Sequence, residues 1–523
     1  MPAQKPWQGF DSPWHLWYQG RVRLARSTQL VLMVTASIGL QSAPVGSEMR
    51  FDPCRNVRRC RAAKYDVHSM PSSVTHSPCD ANGQAPSGVP DETADLQAWI
   101  DSVPDGTGRP RPVLPGRSTD PDQWRVLEFP HGRCIRMDGH LTIRDRHYLI
   151  FDGEGVTLDQ HLKPATARST RNGATWNGSG GWDVVRGSSL QWHSFNIVGN
   201  HIHSEMQTEW NGGSSVRKTR VTTFGMCHAS VPGPPSNSYC EWQYGWGIRG
   251  SQNVLLDGNQ SRDTHGDGVA IEWGPGINLM PRDITIQNHS VYRSGRQGIS
   301  IIAGEGITIK DSYIEGSASN AIDLEPERWE DDRFPVRDVI ITRNRFGESH
   351  AATLVANGRC ADIANIEYSY NDQISSNISR IPAIEMIAPS TTPLGTPCSS
   401  QRGPITIAFN IFRIRETGTE GDAAVSIEGY SNVTFNSNSV NHSCHPATPA
   451  CTADQPPVIL RGGSGHIVSG NDLSIGERAH HWRWAYSHNG HSYRREDRRR
   501  YQHHLDSMSP FMCSMAIRPM RCP

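Results

Sequence analysis

Ionisable side chains gather most usefully between residues 263 and 327 of this 523-residue chain. SRDTHGDG at 261–268 runs into VAIEW at 269–273. Side chains alternate faces along a strand, so Val269 and Ile271 inward put Glu272 outward, with His265 and Asp267 at the bend before it. YRSGRQG then precedes ISII at 299–302, placing Arg293, Arg296 and Gln297 at the corresponding bend. In NAIDLEPE at 320–327, Asp323 and Glu325 face out together, about 7 Å apart along the strand. Glu272 and Glu325 hold equivalent places two repeats apart, across Ile302, with backbones about 10 Å apart. Inverting glycoside hydrolysis uses two carboxyls roughly 6.5–9.5 Å apart with room for water. Proton abstraction beside a sugar carboxylate instead needs a base and a cation, and Asp267, His265 and Arg296 are of those types. The candidate catalytic set is therefore Asp267, Glu272, Arg296, Asp323, Glu325 and His265. Candidate substrate-binding side chains are Trp246 and Trp273, whose faces suit sugar rings, with Arg293 and Gln297. The structural alternative for each is plain: D-G strings build turns, surface ion pairs contribute little, and tryptophans pack cores.

Short strands must carry these residues. A strand type recurs as WGIR (246–249), VAIE (269–272), ISII (299–302), IDLE (322–325), TLVA (353–356), IEMI (384–387), VSIE (425–428) and VILR (458–461). A second type alternates with it: NVLLDGN, DITIQNH, GITIKDS, DVIITRN, PITIAFN and NVTFNSN. The shortest spacing, 23 residues between ISII and IDLE, suits one coil of three short strands and three bends, and longer spacings add an insertion at a bend. No coil buries its own apolar face, so neighbours must stack on it in parallel. Asn closes the second strand at 200, 259, 344, 371, 410, 438 and 471, with His289 and Ser312 in its place in two coils. An inward Asn at a bend can bond the next coil's backbone. These repeats predict an all-β parallel β-helix over about 125–475, with an amphipathic helix at 91–101 (buried face Leu96, Trp99, Ile100) capping its N-terminal end.

Composition limits the remaining choices. Gly (49) and Pro (35) favour a turn-rich fold over a long helical bundle. The net charge of −1 excludes the whole chain as a nucleic-acid binder, and no apolar run reaches the ~18 residues of a membrane helix. Arg21, Arg23 and Arg26 before the apolar stretch 30–40 and the small residues Ser42 and Ala43 read as a signal peptide. The expected organisation is a leader at 1–43, a Ser/Pro/Arg-rich linker at 44–90, a β-helix domain at 91–475 and an Arg/His-rich tail at 476–523. Twelve cysteines, several closely paired without C-x-x-C spacing, favour disulfides over zinc. Cys227–Cys240 and Cys444–Cys451 would each close a Pro-rich insertion.

The N-x-T-I-x-x-N type repeats resemble the right-handed parallel β-helix of the pectin lyase-like superfamily. That resemblance implies a groove along the outer face of one stacked sheet. It does not select an activity, because lyases, hydrolases, epimerases, esterases, tailspikes and adhesins share the fold. GDG at 266–268 is similar to part of the Asn-Thr-Asp-Gly motif of polygalacturonases, and GRQG to their Gly-His-Gly, with Gln297 in place of His. Their Asp-Asp pair and Arg-Ile-Lys are missing, as are the pectate lyase signatures. The expectation is a secreted enzyme acting on an extended, acidic polysaccharide by lyase or hydrolase chemistry; the alternative is a non-catalytic glycan- or surface-binding β-helix. Neither a membrane nor a nucleic-acid partner is expected, and monomer and trimer both stay open. No cofactor is expected. Asp263, Asp267, Asp323 and Glu325 offer oxygen ligands for calcium, but nothing sets their spacing.

Overall fold

The computed structural model describes residues between 66 and 493, apart from segments at 108–123, 162–180, 200–243, 274–278, 327–333, 376–381, 389–401, 417–423, 445–457 and 476–485 and several shorter gaps, one of them His265. The described chain is a parallel β-helix of three sheets, each with twelve strands. The first sheet runs from Asp66–Ser69 to Ile467–Ser469, the second from Ser77–Pro78 to Asp472–Ile475, and the third from Leu141–Arg144 to His491–Tyr493. Pairing is parallel throughout except where Ser77–Pro78 meets Arg133–Met137 and in the terminal hairpin of Tyr486–His488 and His491–Tyr493. The 23-residue coil resolves as predicted, into Ile299–Ile301, Gly304–Lys310 and Tyr313–Glu315 before Ile322–Leu324 begins the next.

Register follows apolar alternation. Trp246, Val269, Ile299, Ile322 and Leu354 stack as direct partners along the third sheet, and all five are fully buried. A slip of one residue would turn a strand's whole apolar set outward. The residue just before this inward row is Gly245, Gly268, Gly298 and then Ala321. A Cβ on Gly298 would lie 2.4 Å from the Ala321 carbonyl oxygen and 2.6 Å from Ile314 Cγ2. Gly298→Ala is therefore expected to lower stability by about 1–3 kcal/mol, the usual penalty of overpacking. A chemical-denaturation midpoint equal to the parent's would refute this reading of the corner.

The Asn ladder forms as expected along Asn344, Asn371, Asn410, Asn438 and Asn471. Each Asn oxygen accepts the backbone N–H and the side-chain amide of the preceding one, as in Asn344 to Asn371 at 2.9 and 3.1 Å. Each Nδ2 also donates to a strand carbonyl one coil back, such as Asn371 to Ile341 at 2.9 Å. Ser312 continues the chain, accepting the His289 N–H at 3.1 Å. His289 breaks it: its ring lies in the core, edge-on to Trp246 at 5.1 Å, with neither ring nitrogen hydrogen-bonded. Asn200 lies outside the described residues.

The capping helix spans Thr93–Ser102 and buries Leu96, Trp99 and Ile100 against the first coil. Residues 66–90, read from sequence as linker, instead add a strand to each of two sheets and a disulfide, Cys79–Cys134. That pair is 55 residues apart in sequence, so spacing alone offered no sign of it. The expected Cys227–Cys240 and Cys444–Cys451 bridges lie outside the described side chains. Among the described residues no helix is long and apolar enough to cross a membrane.

Candidate functional site

Asp267, Gln297 and Asn320 stand two residues before the inward anchors Val269, Ile299 and Ile322 in three successive coils. Equivalent positions stack one strand spacing apart, about 4.8 Å, and these three side chains make a ladder of their own. Asp267 Oδ1 accepts the Gln297 N–H at 2.9 Å, Gln297 Oε1 accepts the Asn320 N–H at 2.8 Å, and Asn320 Oδ1 accepts the Ala352 N–H at 3.2 Å. The atoms left over reach onto the outer face of the third sheet. Gln297 Nε2 donates to Asp323 Oδ2 at 2.6 Å and Asn320 Nδ2 donates to the same oxygen at 3.1 Å. Ser300, between Ala270 and Asp323 in the sheet register, donates to Asp267 Oδ2 at 2.6 Å. Arg296 bridges Asp267 Oδ2 at 3.1 Å and Glu325 Oε2 at 3.0 Å.

Two carboxyls thus pair with one guanidinium, whose charge also acts on a third, Asp323, and the three stand in unequal environments. Asp267 is completely buried, Asp323 is 5% exposed and the Glu325 side chain is 26% exposed. Burial raises the Asp267 pKa, an effect partly offset by Arg296, the Ser300 hydroxyl and the Gln297 amide. Burial pushes Asp323 well above the usual carboxylate range, and the Glu325 charge adds to it, against the opposing pull of Arg296 and the Asn320 amide. Asp323 Oδ1 is buried without a hydrogen-bond partner. A carboxyl in that state can carry a proton near neutrality and donate it.

Four predicted residues, Asp267, Arg296, Asp323 and Glu325, therefore meet, and Gln297 joins them as an internal bridge to Asp323. The others sit elsewhere. Glu272 is outward as expected, but it bonds Arg249 Nε at 2.8 Å in a separate buried cluster that also holds Asp183, 3.4 Å from Arg249. Trp246 is not on the outer face: it is the register partner of Val269 and lies in the core. Trp273 stacks on Phe334, with centroids 5.1 Å apart. Arg293 pairs with Asp263 at 2.7 and 3.0 Å in the bend that leaves the second sheet. His265 lies outside the described residues. Reading single strands missed Ser300 and Asn320. Their positions, plus one from Ile299 and minus two from Ile322, were the available signal. Among the described residues no group of three or more His, Cys, Asp or Glu side chains is arranged to hold a metal.

No protein-family model and no curated protein matches the sequence. Solved structures do match in three dimensions. An endo-xylogalacturonan hydrolase from Aspergillus tubingensis superposes with a TM-score of 0.50 at 12% identity, over 78% of this chain and 93% of that one. An exopolygalacturonase of family 28 from Yersinia enterocolitica gives 0.49 at 13%, over 82% and 76%. The A-module of a mannuronan C-5 epimerase from Azotobacter vinelandii gives 0.44 at 14%, over 79% and 91%.

Proposed function

We propose that this chain, a right-handed parallel β-helix of the pectin-lyase-like fold, hydrolyses a glycosidic bond in an extended polysaccharide. One observation carries the reading: a buried carboxyl, Asp323, with an unpartnered oxygen and a raised pKa, stands two residues from the more exposed, Arg296-paired Glu325. Asp323 Oδ1 gives its proton to the glycosidic oxygen as the bond from the anomeric carbon to that oxygen breaks. Water attacks the anomeric carbon, and its proton passes to the Glu325 carboxylate. Asp267 anchors Arg296, Ser300 and the Gln297 backbone, and so keeps the two acting groups in register. Elimination would need a cation free to stabilise charge on a sugar carboxylate. Arg296 is already held by two carboxylates, which favours hydrolysis. The sugar class, expected from the sequence to be acidic, is left to experiment. An extracellular location is supported by the Cys79–Cys134 disulfide and the basic-then-apolar leader at 21–43.

The test is a panel of neutral and acidic polysaccharides, read for new reducing ends and for the ultraviolet absorbance of unsaturated uronides. Reducing ends without unsaturated product support hydrolysis. Unsaturated product overturns it in favour of a lyase. Retention on a polymer that is never cut supports the binding-module alternative instead.

A further inference from the structure

We propose that Gln297 and Asn320 are positioning residues: their two amide donors occupy Asp323 Oδ2 and so direct the carboxyl's proton to Oδ1, the oxygen assigned the proton transfer in the hydrolysis proposed above. The inference rests on that reading and adds to it the question of which oxygen acts. A protonated carboxyl has one carbonyl oxygen, which accepts hydrogen bonds, and one hydroxyl oxygen, which donates. Oδ2 receives Gln297 Nε2 at 2.6 Å and Asn320 Nδ2 at 3.1 Å. A proton placed on Oδ2 would meet two N–H groups, which have nothing to accept it with. Oδ1 has no partner, so the proton resides there.

The orientation of both amides is itself determined. Gln297 Oε1 accepts the Asn320 N–H at 2.8 Å and Asn320 Oδ1 accepts the Ala352 N–H at 3.2 Å. Flipping either amide would set N–H against N–H at the ladder and carbonyl against carboxylate at Asp323. The backbone of two coils thereby chooses the oxygen. The charged groups acting on Asp323 are Glu325, Arg296 and Asp267. They shift its proton affinity, whereas the two amides decide which oxygen carries the proton. The three ladder positions therefore divide the work, with Asp267 holding the arginine while Gln297 and Asn320 hold the acid.

Infrared difference spectroscopy tests this without a substrate. The carbonyl stretch of protonated Asp323 is assigned near neutral pH as the band lost in Asp323→Asn. Carbonyl stretches drop when the oxygen accepts hydrogen bonds, so Gln297→Met is expected to move that band to higher frequency. On a polymer the parent cleaves, kcat is expected to fall about 10-fold or more with KM nearly unchanged, the pattern of an interaction made in the transition state. A band present in the parent but unmoved in Gln297→Met overturns the clamp and leaves Asp323 as the acid. No protonated band in the parent overturns the acid assignment as well. Should Gln297→Met fail to fold, Asn320→Leu removes the second donor and is read by the same band and the same criterion.

Discussion

Asp323→Asn is expected to melt higher than the parent while losing at least about 100-fold in turnover, the lower range of what a general acid contributes. Activity falls because an amide has no proton to give the leaving oxygen. Stability rises because Asn keeps an acceptor oxygen for Gln297 and Asn320 without the cost, present above about pH 4, of holding a buried carboxyl protonated that would ionise in the unfolded chain. An unsatisfied buried polar group costs about 1–3 kcal/mol, and more when charged. The pH dependence identifies the cause. The folded pKa of Asp323 lies above the ordinary 3.8, so its contribution to stability is fully present below about pH 4 and is lost as pH rises through the folded value. The advantage of Asp323→Asn should therefore be absent at about pH 3.5 and grow toward neutrality. Glu325→Gln is expected to lose activity on the same scale with little change in melting, because Glu325 is partly exposed. Thermal melts from about pH 3.5 to 8 beside reducing-end assays decide it. Full activity in Asp323→Asn moves the chemistry elsewhere, and a lower melting point overturns the account of its burial.

His289 should dominate the acid limb of stability with the opposite slope. Its ring is entirely buried with no hydrogen bond at either nitrogen, and burial lowers its pKa from 6.5 to about 3. Between those values the unfolded chain binds a proton that the folded chain refuses, so stability falls as pH drops from about 6.5 toward 3. The slope is about 1.4 kcal/mol per pH unit, or roughly 5 kcal/mol over the window. His289→Asn should remove this slope and also restore the ladder. By the pattern of its neighbours, the new Oδ1 would accept the Asn259 N–H and the new Nδ2 would donate to the Leu256 carbonyl, each bond worth about 1 kcal/mol. Urea unfolding of parent and variant at about pH 4 and pH 7 measures the difference. A difference that does not change with pH would show that His289 is not the buried neutral group.

Much of this was legible because a solenoid writes its contacts into the sequence as period. The inward row Trp246, Val269, Ile299, Ile322 could be aligned by apolar alternation alone, and the Asn ladder was visible as a repeated residue at a repeated place. Trp246 shows how register should have been used throughout. It heads WGIR as Val269 heads VAIE, so the alternation that placed Glu272 outward also placed Trp246 in the core. The second ladder was open to the same reasoning, since Asp267, Gln297 and Asn320 share one offset from three anchors. It passed unseen because its members differ in residue type, and the first two resembled parts of two different motifs.

Local alternation and repeat length were enough to specify the parallel β-helix, the capping helix, the outward carboxyls at 323 and 325 and the bend that carries Asp267. Which charges meet was settled by the folded chain. Arg296 could have paired with several acids on adjacent coils, and Glu272 with Arg296 or Arg249. Those choices depend on side-chain reach across strands about 4.8 Å apart and on which oxygens the bend amides already occupy. The unequal burial of Asp323 and Glu325, on one strand face two residues apart, was likewise beyond any pattern of residue types. It arises from what the folded chain packs over each position, and the proposed division between a proton donor and its partner depends on it.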